Sequence, residues 1–189
     1  MSSILDIPFR PKAVFIDRDG VLVRSNVVGG KPIAVRSMRD FKLLPGVIQA
    51  FSQLKAAKLK TAIVTNQPDL AKGLITPDTM AAMTERLNQR LAPDLILVCP
   101  HAQTAACDCR KPKPGLLLQG ADRLGIELSR AVMIGDRASD MAAGRSAGCE
   151  CVFIDRHYGE SGPDAGTYRA SAAHFPAAVR LILERLDRS

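Results

Sequence analysis

Tryptophan is absent from this chain of 189 residues, and aromatic residues make up only 4% of it. A core must therefore be assembled from Leu, Val, Ile and Ala. The ring stacking that holds single-stranded nucleic acid is scarce, so nucleic acid is not favoured as a partner. No apolar run approaches the ~18 residues needed to cross a bilayer, so no membrane partner is expected. The opening segment, MSSILDIPFRPK, lacks a basic start followed by an apolar stretch, so no export signal is read and the expected location is cytoplasmic. No block of consecutive basic residues forms a tail. The cysteines number five, an odd count that argues against a disulfide framework.

What is present is ordinary for a globular chain. Hydrophobic residues are 47% and charged residues 24%, which excludes a wholly disordered chain or a coiled coil. The length suits one domain over residues 1–189 and permits a sizeable core. Lys plus Arg is 26 against 19 Asp plus Glu, a net charge of +7. Such a balance suits anionic partners, whether phosphorylated metabolites, nucleic acid or a membrane surface, without choosing among them.

Short apolar, β-branched runs alternate with helical patterns. AVFID (13–17), TAIVT (61–65), LILVC (95–99), AVMIGD (131–136) and CVFID (151–155) read as buried strands. Helices are predicted over 45–58, from Thr76 as N-cap through Pro77 to Leu91, over 114–124 closed by Gly125, over 138–147 closed by Gly148, and over 176–186. This alternation predicts an α/β fold, a doubly wound and mainly parallel sheet of Rossmann-like type. Residues 20–44 show no clear period and read as a flap, and 159–166 read as a loop.

In such sheets reactive groups gather at the carboxyl ends of strands, and four strand ends here carry chemistry. The first ends in FIDRDGV, where Asp17 and Asp19 are two residues apart and their carboxylates share a side if the strand persists. Two acids so close repel unless a proton or cation lies between them, and Mg²⁺ favours carboxylate and phosphate oxygens together. The second ends in Thr65, Asn66 and Gln67, where the Thr65 hydroxyl and the Asn66 amide suit phosphate oxygens. After the third come Arg110, Lys111 and Lys113, and a fixed ammonium stabilises transferring phosphoryl oxygens. The fourth ends in GDRASD, with Asp136 placed to complete a Mg²⁺ site and Asp140 to orient ligands or cap a helix. Each run taken singly is as well explained as a solvated turn, a basic loop or a helix cap.

Together and in this order, the four runs resemble the haloacid dehalogenase-like superfamily of phosphohydrolases. The resemblance implies an aspartyl-phosphate formed on Asp17, with Asp19 as general acid and base. Thr65 and Asn66 would hold the phosphoryl group, Gln67 would bind substrate beside them, and Lys111 would neutralise the phosphoryl charge. Asp17, Asp136 and the main-chain carbonyl of Asp19 would ligate Mg²⁺. No large insertion separates the motifs, so no large cap domain is expected.

CPHAQTAACDC (99–109) places Cys99 and His101 five residues before Cys107 and Cys109. Three thiolates and an imidazole make a closed tetrahedral Zn²⁺ set, with a structural role at the pocket rim. Cys149 and Cys151 read as small core residues. The loop resembles the zinc-bearing branch that acts on heptose 1,7-bisphosphate at its 7-phosphate and on histidinol phosphate. By that resemblance Arg110 contacts substrate, and Arg137 stands where a substrate-contacting Lys is usual. The run CRKPKPG is close to the heptose type, whereas the five-residue gap is nearer the histidinol type. PDLAKG after the TNQ run (65–67), with Pro68, Asp69 and Lys72, departs from the branch. Arg24, Lys31, Arg36 and Arg39 in the flap are candidates for gripping a second phosphate.

The leading expectation is a Mg²⁺-dependent phosphatase of a small phosphorylated metabolite, a heptose 1,7-bisphosphate. The alternatives are a histidinol-phosphate phosphatase, a DNA 3′-phosphatase and a non-catalytic zinc-stapled binding module.

Overall fold

The computed structural model describes residues 10–159 and 162–187. The segment read as lacking an export signal lies almost wholly outside the described residues, as do positions 160 and 161 of the predicted loop. In chain order the elements are β1 (Ala13–Ile16), β2 (Asn26–Val28), β3 (Lys31–Ile33), α1 (Val47–Ala56), β4 (Lys60–Asn66), α2 (Pro68–Ala71) and α3 (Pro77–Leu91). There follow β5 (Leu95–Cys99), α4 (Gly115–Leu124), β6 (Ala131–Gly135), α5 (Ala138–Ser146), β7 (Glu150–Ile154), β8 (Ala170–Ala172) and α6 (Phe175–Asp187).

Six strands form one sheet in the order β5-β4-β1-β6-β7-β8, every pair parallel. The alternation along β1 shows why the strands read as continuous apolar runs. Val14 and Ile16 point into one core with α1, α3 and α6, and Ala13 and Phe15 into a second with α4 and α5. Both faces are covered, as the α/β expectation requires. Fully buried side chains such as Phe51, Leu54, Met83 and Leu117 contribute about 1.5–3 kcal/mol each to this packing.

Local signals set most boundaries. Thr76 caps α3 by accepting from Thr79 N at 3.1 Å, with Pro77 in the first turn. Gly125 closes α4 at φ 63°. Helix α1 starts two residues later than predicted because Gly46 sits at φ 73°, outside the helical region. Two features gave no sequence signal. The hairpin of β2 and β3 lies in the flap, and all three β2 residues are exposed, so burial imposes no period on it. Strand β8, a short ASA, is fixed by its register against Val152–Ile154.

The chain fills one side of β1 with β4 and β5, then crosses to the other side with β6, β7 and β8. The carboxyl ends of β1, β4 and β6 therefore border a crevice at the switch of direction, where such sheets place their ligands.

Candidate active site

A cavity of about 830 Å³ occupies that crevice, and Asp17, Asp19, Thr65, Asn66, Arg110, Lys111, Asp136 and Arg137 all line it. Strand β1 delivers Asp17 one residue past its end, still held in the ladder by Asp17 N donating to Ile134 O at 2.9 Å.

Lys111 is buried in the floor. Its Nζ lies 2.5 Å from Asp17 Oδ1 and 2.6 Å from Asp140 Oδ1, and donates to Val64 O at 2.8 Å. Burial alone would lower the pKa of this ammonium; Asp140 and Asp17 outweigh it and hold Lys111 protonated well above the ordinary lysine range. Asp140 is anchored in turn, accepting from Arg137 N at 3.1 Å at the start of α5. Asn66 faces Lys111 from the other side: its Nδ2 donates to Lys111 O at 2.9 Å, and its Oδ1 accepts from Lys111 N at 3.1 Å. The amide expected to grip phosphate thus fixes the backbone of the lysine.

Asp19 is oriented through one oxygen. Its Oδ2 accepts from Gln67 Nε2 at 2.7 Å and Arg18 Nε at 3.0 Å, while Oδ1 is buried with no partner. Arg18 is itself buried among Met80, Met83 and the ring of Phe41. Gln67, expected to touch substrate, is fully buried and its Nε2 also donates to Thr65 Oγ1 at 2.9 Å. That contact uses Thr65 as an acceptor and leaves its hydroxyl proton for the cavity.

Asp17, Asp136 and Asp140 present carboxylate oxygens within 4.8 Å of one another. One ammonium does not balance three buried acids. Burial, reinforced by Asp140 and Asp19 against the pull of Lys111, pushes Asp17 up to about 7. Burial, then the charges of Asp17 and Asp140, raises Asp136 well above the carboxylate range. Asp136 Oδ1 is buried without a partner, and Oδ2 accepts from Tyr158 OH at 2.7 Å. This deficit of positive charge, with an unfilled carboxylate oxygen facing it, suits a divalent cation. Gly20 makes room: at φ 86°, a Cβ there would meet Asp136 Oδ2 at 1.8 Å.

Of the four flap cations, only Arg36 lines the cavity. Its Nε donates to the buried Asp69 Oδ2 at 2.7 Å, tying the flap to α2. Arg110 reaches the cavity with Nη1 buried and without a hydrogen-bond partner. Arg156 and Tyr158 also line it, and neither was identified from the sequence. They lie just past β7 with no spacing to mark them, whereas Asp69 stood out as a departure in the TNQPDLAKG run (65–73).

Cys99, His101, Cys107 and Cys109 converge as well, their ligand atoms within 4.8 Å of one another. Cys99 Sγ is 3.8 Å from Cys107 Sγ, and His101 Nδ1 is 3.6 Å from Cys99 Sγ and 3.2 Å from Cys109 Sγ. Tetrahedral zinc with bonds of about 2.3 Å to sulfur spaces its ligands about 3.8 Å apart, so the set can hold such an ion. Cys149 and Cys151 are buried elsewhere, in the core beneath α5.

A family model described as haloacid dehalogenase-like hydrolase matches residues 25–148. The D-glycero-beta-D-manno-heptose-1,7-bisphosphate 7-phosphatase of Pasteurella multocida is 39% identical over 147 residues, covering 72% of this chain and 77% of that one. The protein of the same name from Helicobacter pylori is 37% identical over 142 residues, covering 72% and 78%. Among solved structures, the D,D-heptose 1,7-bisphosphate phosphatase of B. bronchiseptica, complexed with magnesium and phosphate, superposes with a TM-score of 0.79 at 30% identity, covering 92% of this chain and 98% of that one. By sequence, fold and the four strand-end motifs, the chain belongs to the haloacid dehalogenase-like hydrolase family, among its phosphoric monoester hydrolases.

Proposed function

We propose that the chain removes the 7-phosphate of a heptose 1,7-bisphosphate in a Mg²⁺-dependent reaction through an aspartyl-phosphate. The observation that carries this reading is the convergence of Asp17, Asp19, Lys111 and Asp136 on one cavity, in a chain whose relatives are named for that reaction.

Asp17 attacks phosphorus, and the bond to the sugar oxygen breaks as Asp19 delivers a proton to it. Asp19 then takes a proton from water, which attacks the aspartyl-phosphate and frees phosphate and Asp17. Lys111, held against Asp17, neutralises the transferring oxygens. Asp17, Asp136 and the main-chain carbonyl of Asp19 would hold Mg²⁺, which supplies charge neutralisation between the phosphate and Asp17. Asp140 belongs outside that set, because Lys111 and Arg137 N occupy its oxygens. Arg110, with its partnerless Nη1, and Arg137 are assigned to the rest of the substrate. Zn²⁺ in the Cys99–His101–Cys107–Cys109 set would fix the loop leading to Arg110 and Lys111. The same reading puts the enzyme in the cytoplasm, in keeping with five cysteines that form no disulfide among the described residues.

A second reading, histidinol phosphate as substrate, is favoured by the five-residue gap between His101 and Cys107. Phosphate release from the two compounds, compared by kcat/KM, tests both. Heptose bisphosphate is expected to be the better substrate, and Asp17→Asn is expected to lose activity by on the order of 10⁴-fold. Equal release by wild type and Asp17→Asn would remove the mechanism. A preference for histidinol phosphate would replace the substrate and leave the mechanism standing.

A further inference from the structure

Of the three clustered acids, Asp136 is the one with a buried oxygen that has no partner. Its two oxygens are not equivalent. Oδ1 is buried and has no partner, whereas Oδ2 accepts from Tyr158 OH at 2.7 Å. Gly20 closes on the same oxygen, since a Cβ at that position would lie 1.8 Å from Oδ2 and 2.7 Å from the Tyr158 hydroxyl. Tyr158 is half-buried in the cavity wall, on the loop that follows β7.

That loop is pinned at three points. Arg156 Nε donates to Gly20 O at 2.7 Å, His157 N to Asp155 Oδ1 at 2.8 Å, and Gly159 N to Gly30 O at 2.9 Å. The phenol is therefore presented to Asp136 from a fixed backbone. A donor on one carboxylate oxygen stops the group from rotating and selects which oxygen faces a metal. Partners of this kind outside the ligand set commonly govern metal affinity.

We infer that Tyr158 is a positioning residue for the metal site: its hydroxyl holds Asp136 Oδ2 so that Oδ1 is turned to the ion. The inference rests on the assignment of Asp136 as a Mg²⁺ ligand made above. Nothing in the sequence motifs marks Tyr158, which lies beyond the last of them.

The chain supplies its own reporter, because it has no tryptophan and only two tyrosines, Tyr158 and Tyr168. In Tyr168→Phe the single remaining tyrosine is the one against Asp136. Mg²⁺ alone is titrated into wild type, Tyr158→Phe, Tyr168→Phe and the Tyr168→Phe/Asp136→Asn double variant, with binding followed by calorimetry and by tyrosine emission. Thermal unfolding of each variant checks its fold. Tyr158→Phe is expected to raise the Mg²⁺ dissociation constant about tenfold or more. Tyr168→Phe is expected to bind as wild type does, with Tyr158 emission changing on saturation, and the double variant is expected to show neither binding nor change. If Tyr158→Phe binds Mg²⁺ as tightly as wild type while the double variant does not bind, Tyr158 has no positioning role and the assignment of Asp136 stands. If wild type takes up no Mg²⁺, the metal assignment and this inference fall together.

Discussion

Gln67 donates its side-chain amide to Asp19 Oδ2 across 2.7 Å and to Thr65 Oγ1 across 2.9 Å, from a position with no exposure to the cavity. Its amide is turned to the acid and the hydroxyl and away from the cavity. Gln67→Leu is expected to lower kcat about tenfold with little change in KM, because a misaimed Asp19 impairs proton transfer and not binding. Two lost hydrogen bonds cost about 1–3 kcal/mol in urea unfolding. A change confined to KM would return Gln67 to the substrate contacts.

Among the described residues Lys111 is the one ammonium paired within the cluster of three buried acids, 2.5 Å from Asp17 and 2.6 Å from Asp140. Lys111→Met leaves those acids uncompensated, at a cost of about 3–5 kcal/mol. Adding Asp140→Asn removes one of the stranded charges, so the double variant is expected to be more stable than Lys111→Met alone. Denaturant unfolding of both variants provides the comparison.

The raised values of Asp17, about 7, and of Asp136 set the pH dependence of the metal-free protein. Groups that bind protons more tightly in the folded than in the unfolded chain stabilise the fold at low pH. That stabilisation is lost as pH rises through the folded value. Thermal unfolding in Mg²⁺-free buffer is therefore expected to give a higher Tm near pH 5.5 than near pH 7.5. Saturating Mg²⁺ is expected to restore stability at the higher pH.

Gly20→Ala places a methyl group 1.8 Å from Asp136 Oδ2 and forces alanine to φ 86°. Displacing Asp136 by about 1 Å is expected to cost on the order of 10²-fold in kcat/KM. The left-handed backbone costs a further 1–2 kcal/mol or so of stability. Steady-state kinetics and urea unfolding separate the two effects.

For the cysteine–histidine loop, elemental analysis is expected to give one zinc per chain. Cys107→Ser is expected to lose the metal and to lower the Tm, because three remaining ligands no longer close the site. Full zinc occupancy in Cys107→Ser would remove this cysteine from the set.

The five main strands and the residues at their ends were legible because burial on both faces writes a continuous apolar run, and each run stops at a polar residue. Asp17 and Asp136 could be found that way, whereas Lys111 lies in the loop twelve positions past β5 and was marked by its basic run. Tyr158 could not, since a single aromatic in an irregular loop carries no period and its partner is 22 positions away. Asn66 and Gln67 lie at the end of β4, but the sequence does not reveal that their amides turn to Lys111 and Asp19. Arg36 was one of four equivalent flap cations until the buried Asp69 singled it out. Strands β2 and β8 stayed hidden because their short segments bury too little to pattern the chain.

Gly30 and Gly159 touch backbone to backbone: a Cβ on Gly30 would lie 3.3 Å from Gly159 Cα, and Gly159 N donates to Gly30 O. This seam welds the hairpin carrying Pro32 and Ile33 to the loop carrying His157 and Tyr158, all four of which line the cavity. The two walls are joined there into one panel. A side chain grown at Gly30, only 3.3 Å from Gly159 Cα, would press on that panel and bear through Tyr158 on Asp136 as well as on which molecules fit.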